Sequence, residues 1–306
     1  MLLGIDHLVI AVADPDAAAA DLETALGLAA TGGGRHEKAG TFNRLIFLGD
    51  AYLELIGVWD RARATANPIG AAALAALDAG TPGLVTWAIA TDDARRAAAV
   101  LRGAGSAIGD AQPGERVRPD GGVVRWHVAI APPLASERPP FLIEHELGGP
   151  EWSDEARQAR AAFIHPFGGR ARIVGLELAV SRPADVAMAF ASTIGVAFRP
   201  APGAGPGELE ALVGDHSIRL VAGAPAPASG AMAASGVVAA SGAVAGSGHL
   251  AGTDPGLASE SGPASGMGSA SETGSRSADP TARVGILATA GEHLLVELCG
   301  VRFARL

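Results

Sequence analysis

Residues 4–16 read GIDHLVIAVADPD, and the same pattern is written twice more in the chain. IDHLVIAV (5–12) is a continuous apolar run rich in β-branched residues, the pattern of a strand covered on both faces. Asp14 then offers a helix N-cap, and Pro15 sits where a first helical turn tolerates it. Ala18, Leu22 and Leu26 recur on one helical face, and Gly27 stops the helix. At 84–105, LVTWAIAT is the strand, Asp92 and Asp93 the cap, and Ala97, Val100 and Leu101 the apolar stripe before Gly103. At 173–195, IVGLELAV is the strand, Pro183 opens the helix, and Val186, Phe190 and Ile194 form the stripe before Gly195. A repeat of this kind governs the whole fold.

Antiparallel strands follow each helix. TFNRLIFLGD and AYLELIGV flank a hairpin turn at Gly49-Asp50, and ELEALV and HSIRLVAG flank one at Gly214-Asp215. In the second unit VVRWHVAIAP and PPFLIEHEL are separated by a Pro/Ser loop. The expected organisation is α+β, with tandem βαβββ units curling into mixed sheets. Residues 1–148 hold a pair of units, 149–170 a linker, and 171–223 a third, degraded βαβ-type unit. Residues 224–280 are Ala, Gly, Ser and Pro with recurring ASG triplets, too poor in large apolar side chains to offset ordering entropy, and are expected to be disordered. Residues 281–306 supply strands that complete the third unit.

Composition narrows the function classes. The net charge is −9, and Lys38 is the only lysine, so no basic patch is available for nucleic acid or an anionic membrane. The amino-terminal run is interrupted by Asp6 and His7, unlike a signal peptide or a membrane anchor. Cys299 is the only cysteine, which excludes an intrachain disulfide and fits a cytoplasmic protein; in HLLVELC it reads as a small buried hydrophobe. GGG at 32–34 does not match a dinucleotide fingerprint, and no GxSxG elbow occurs. No nucleotide cofactor is expected.

The stretches GIDHLVIAV, GGRHEKAGTFNRLIFLGDAYLELIGV, LVTWAIATDD, GGVVRWHVA with PPFLIEHE, and HPFGGRARIVGLELAV resemble the vicinal oxygen chelate superfamily, in its glyoxalase-like branch. The resemblance covers residues 4–200, with a weaker echo to 222. It implies two units side by side around a small-molecule pocket. In metal-dependent members, ligands for Zn, Fe, Mn or Ni come from the first and last strands of each unit, which here implies His7 and Glu54.

The residues themselves support part of this. Glu54 sits inside the apolar strand AYLELIGV, and His7 inside IDHLVIAV. A buried carboxylate requires a partner, and imidazole with carboxylate is a sound start for a metal site. The pair could equally hydrogen-bond each other or a water. In the second unit the alignment of Asp14 with Asp93 sets Thr86 at the His7 position, a poor ligand. The last strand offers Glu144, His145 and Glu146, with Glu144 and Glu146 on one face and His145 on the other; the register is not fixed by sequence. The branch resembles PFFI, a polar residue and Trp there, and His145 takes the Trp place. The third unit has Gly175 and Arg219 at the ligand positions, where no such site is expected.

Glu144, or alternatively Glu54, is the candidate proton-moving carboxylate. His36 on its Gly-rich loop, Arg125 and His127 on one strand face, and His145 are candidates for substrate contact. Trp126 takes the face opposite Arg125 and His127, and one of the two lines the cavity. Three functions remain open: a metal-dependent lyase, isomerase or dioxygenase on a small oxygenated substrate; a metal-free small-molecule binder; and an interaction protein tethered by 224–280. The chain carries both units of a cavity, as a monomer or a homodimer.

Overall fold

A computed structural model describes residues 1–131, 139–149, 151–161, 172–201, 207–223, 282–287, 295–298 and 301–305. They belong to one compact unit, Met1–Ala231 with Pro280–Leu306. The Ala/Gly/Ser/Pro-rich insert and Cys299 lie outside the described residues, as does the expected linker beyond residue 161.

The first unit is β1 (Leu2–Ala11), α1 (Pro15–Leu26), β2 (Gly32–His36), β3 (Thr41–Leu48) and β4 (Ala51–Val58). Two short helices follow, α2 (Arg61–Thr65) and α3 (Pro68–Asp78). The second unit is β5 (Gly83–Thr91), α4 (Ala94–Gly103), β6 (Gln112–Val117), β7 (Val123–Ile130) and β8 (Pro140–His145). Helix α5 (Asp154–Ala161) lies in the expected linker. The third unit is β9 (Arg172–Val180), α6 (Pro183–Ile194), β10 (Arg199–Pro200), β11 (Leu209–Val213) and β12 (His216–Ala222), and the chain ends in β13 (Ala282–Leu287), β14 (Leu295–Leu298) and β15 (Val301–Arg305).

Local chemistry accounts for the repeated helix. The Asp14 side chain accepts from the N–H groups of Asp16 and Ala17, and Gly27 closes α1 in the left-handed region at φ 64°. Asp93 caps α4 through Arg96 N–H. Gly195 closes α6 at φ 73°. Gly49-Asp50 and Gly214-Asp215 make the hairpin turns.

The first two units close into an eight-stranded barrel, β1-β4-β3-β2-β6-β7-β8-β5. Within each unit the first strand runs parallel to the last, β1 with β4 and β5 with β8, and the units join through antiparallel β1 and β5. The other closure, β2 to β6, holds by a single register pair, Arg35 with Val117. A second sheet runs β10-β11-β12-β9-β13-β15-β14. There β13 is antiparallel to β9 and parallel to β15, as β5 is to β1 and β8. The third unit has its own βαβββ order, and the last three strands extend its sheet beyond β9.

The outer face of the barrel and the second sheet share one core. Leu8 and Ile10 of β1 and Trp87 and Ile89 of β5 are fully buried, packed in one cluster with Leu176 and Leu178 of β9 and Phe190 of α6. Each such side chain contributes roughly 1.5–3 kcal/mol by leaving water. Among the described residues no helix is long and apolar enough to cross a membrane.

Candidate functional site

The barrel encloses a cavity of about 500 Å³. Its walls are mainly apolar: Leu45, Ile56, Trp126, Val128, Phe141 and Ile143 among others. Polar groups line it too, His7, Asn43, Tyr52, Glu54, His36 and His145 together with the buried Arg116 and Glu151. An apolar chamber with a few convergent polar groups is the usual form of a small-molecule site.

A bulge sets this cluster. Across β1 and β5, Ile5 pairs with Ile89 and His7 with Ala88, so Asp6 is an extra residue on β1. Asp6 and His7 are adjacent, yet their side chains meet: Nδ1 of His7 lies 2.6 Å from Asp6 Oδ1. His145, at the end of β8, brings its Nε2 to 3.1 Å from the same oxygen. Burial pushes the Asp6 carboxyl up, but the charge and hydrogen bonds of His145 and then His7 outweigh it and hold the group well below the usual carboxylate range. An ionised carboxylate only accepts, so both imidazoles donate to it.

The other ring nitrogen of His7, Nε2, lies 3.5 Å from Glu54 Oε2 on β4. Glu54 Oε1 accepts from Asn43 Nδ2 at 2.6 Å and lies 3.9 Å from His36 Nε2. His36 Nδ1 is 2.9 Å from Thr41 Oγ1. Burial lowers the His36 pKa to about 4, with Glu54 opposing and Arg116 and His7 adding to the fall, so the ring is neutral near pH 7. Tyr52 stacks on His7 with ring centroids 4.6 Å apart. Burial, then the charges of Asp6 and Glu54, push its hydroxyl up and keep it protonated. Arg116 is buried and gives its charge to both oxygens of Glu151 at 2.6 Å.

Of the expected residues, the structure brings His7, Glu54, His36 and His145 together. His36 lies on strand β2 rather than a loop. The glycines before it allow close approach: a Cβ at Gly33 would lie 2.4 Å from Asn43 O, and one at Gly34 2.1 Å from Val117 O. Three expected residues are not among those that line the cavity. Glu144 accepts from Ala94 N–H at the start of α4. His127 pairs with Arg95 at 2.9 Å, and the Arg125 side chain is 58% exposed beside Glu115. Strand alternation on β7 and β8 sends these three outward, while Trp126 and His145 face in. Asp6 and Asn43 are the groups sequence reasoning missed; the polar pair Asp6-His7 in an apolar strand was the signal for the first. Ala88 pairs with His7 across β1 and β5, and the Thr86 hydroxyl donates to Pro139 O.

A metal of the kind the resemblance implies can be tested against this donor set. Two donors about 2.1 Å from one cation stand about 3.0–3.5 Å apart. His7 Nε2 with Glu54 Oε2 meets that spacing at 3.5 Å. Asp6, His7 and His145 also have donor atoms within 4.8 Å of one another. The 2.6 Å between Asp6 and His7 Nδ1 is a hydrogen-bond length, too short for two ligands of one ion, and fits a carboxylate that orients a ligating histidine from behind. The residues fit a divalent cation beside His7 Nε2 and Glu54.

Residues 5–194 match the sequence family described as "Glyoxalase-like domain". No curated protein sequence matches the chain. Among solved structures, a Staphylococcus aureus protein described as hypothetical aligns over 100% of both chains, with a TM-score of 0.66 and 15% identity, which shows a shared fold. A Streptomyces coelicolor methylmalonyl-CoA epimerase aligns over 48% of this chain and 96% of its own (TM-score 0.36, 20% identity). One from Mycobacterium tuberculosis covers 47% and 88% (TM-score 0.34, 20% identity).

Proposed function

The chain belongs to the glyoxalase-like domain family, and on that premise we propose that it is a divalent-metal-dependent enzyme acting on a small, mainly apolar compound with two adjacent oxygens. The observation that carries this is the placement of His7, with Nδ1 on Asp6 and Nε2 turned to Glu54 Oε2 at 3.5 Å. His36, neutral, lies 3.9 Å from the other Glu54 oxygen and steadies the carboxylate from that side.

A divalent cation there supplies Lewis acidity to the two substrate oxygens. The chain's residues do the rest. Asp6 fixes the tautomer and angle of His7, Asn43 holds Glu54, and Thr41 orients His36. Tyr52 packs on His7, while Trp126, Val128, Phe141 and Ile143 receive the apolar body and exclude water. Isomerase, lyase and dioxygenase chemistry all start from a metal that polarises two adjacent oxygens.

Metal analysis of protein purified without chelator, with Fe(II) and Co(II) titrations, is the direct test. We expect one equivalent in the wild type and none in His7→Ala. No uptake by the wild type would sink the proposal. A second reading, a metal-free binder, is favoured by the hydrogen bonds that join Asp6 to His7 and His145 and Glu54 to Asn43. It predicts ligand binding that EDTA leaves unchanged.

A further inference from the structure

We infer that His216, on β12 of the second sheet, is a positioning residue for the barrel site: it holds the β1 bulge that turns Asp6 toward His7. His216 lies outside the matched residues 5–194. The β1–β4 register begins at His7 with Tyr52, and β4 starts at Ala51. Ile5 therefore lies beyond the end of β4, where no ladder strand accepts its N–H on that side. His216 Nδ1 accepts it instead, at 3.2 Å. This bond sits one residue before the bulged Asp6.

The fit is built from both sides. Gly4 has φ 144°, and a Cβ there would lie 2.5 Å from His216 Nδ1 and 2.9 Å from its Cε1, so the missing side chain makes room for the ring. Gly214, in the hairpin turn before His216, has φ 57°, and a Cβ there would lie 2.0 Å from Leu3 O. The turn thus abuts β1 just ahead of the bulge. His216 pairs with Val213 across the β11–β12 hairpin, which fixes its place in the second sheet. Burial lowers the pKa of His216 against the pull of Asp215, which keeps a lone pair on Nδ1 for Ile5. The third unit, which carries no ligand pair of its own at Gly175 and Arg219, is in this way part of the first unit's site.

Full-length His216→Asn and His216→Gln separate this role from simple packing. Asn places an acceptor where Nδ1 stands; Gln carries it one bond further out. The first readout is the hydrogen-bonded Nδ1 proton of His7 in NMR spectra, assigned by its loss in Asp6→Asn. The second is Co(II) affinity, which alone rests on the proposed metal site. We expect His216→Asn to keep the proton and the affinity. His216→Gln should lose the proton and about tenfold in affinity, the range of a support behind a ligand, with melting temperatures of the two variants alike. Retention of both signals in His216→Gln overturns the inference, as does a wild type without the His7 proton. A wild type that shows the proton but takes up no Co(II) sinks the metal proposal instead, and the proton then decides for His216.

Discussion

The carboxylate of Asp6 meets Nδ1 of His7, its immediate neighbour in the chain, at 2.6 Å. A regular strand forbids this contact, because consecutive side chains point to opposite faces. The β1 bulge permits it and hands one imidazole a fixed orientation, with Nε2 left to face Glu54.

Asp6→Asn tests that orientation. The amide is the same size but carries no charge, and its NH₂ can turn to His7 as a donor. Metal affinity should fall about 10–100-fold, the effect of removing a carboxylate behind a ligating histidine. Isothermal titration with Co(II) measures it. Unchanged affinity would show that Asp6 does not support the ligand.

Glu54→Gln tests a direct ligand. The loss should exceed about a hundredfold, more than the removal of an outer carboxylate. Stability should change little, because Asn43 Oδ1 has no hydrogen-bond partner among the described residues and can accept from the new amide. A variant that binds metal normally removes Glu54 from the ligand set, and thermal denaturation checks that it is folded.

The fold was legible because the repeated strand, cap, helix and Gly stop each have a local cause. Asp14, Gly27 and Gly195 act in the structure as their positions imply. His7 and Glu54 were legible as polar residues in apolar strands. Strand β2 was not, since GGGRH has no apolar alternation, and its pairing depends on backbone approach by Asn43 and Val117. Helices α2 and α3 went unread between the units. The faces of β7 and β8 could not be chosen either, because Arg125-Trp126-His127 and Glu144-His145-Glu146 each offer polar residues to both sides. Asp6 was hidden by the bulge, which is set by partners more than 80 residues away, Ile89 and His216.

The Arg116–Glu151 pair predicts a large stability effect. Both groups are buried, at 3% and 8% exposure. Arg116→Met leaves the Glu151 carboxylate without its guanidinium and should cost about 3–5 kcal/mol. Adding Glu151→Leu should restore much of that loss, since an apolar pair removes both desolvation penalties. Urea denaturation of the two variants checks it. A double variant no more stable than the single one would show that the charge pair is not the source.

His36 predicts how the metal-free protein responds to acid. Its pKa is about 4 folded against an ordinary 6.5, because burial opposes the charged ring. Between these values the unfolded chain binds the extra proton, so stability falls as pH drops from 6.5 to 4 and this contribution levels off below 4. At 1.36 kcal/mol per pH unit the full span is about 3 kcal/mol. Asp6 acts outside this window: its folded pKa is depressed, so its contribution is intact above its ordinary 3.8 and is lost only in stronger acid. Denaturant midpoints at pH 7, 5.5 and 4.5 in chelator-treated protein should therefore decline, and His36→Gln should remove about one proton's worth of that slope. An identical slope in the variant would mean that His36 titrates normally in the folded barrel, with burial no longer opposing its charge.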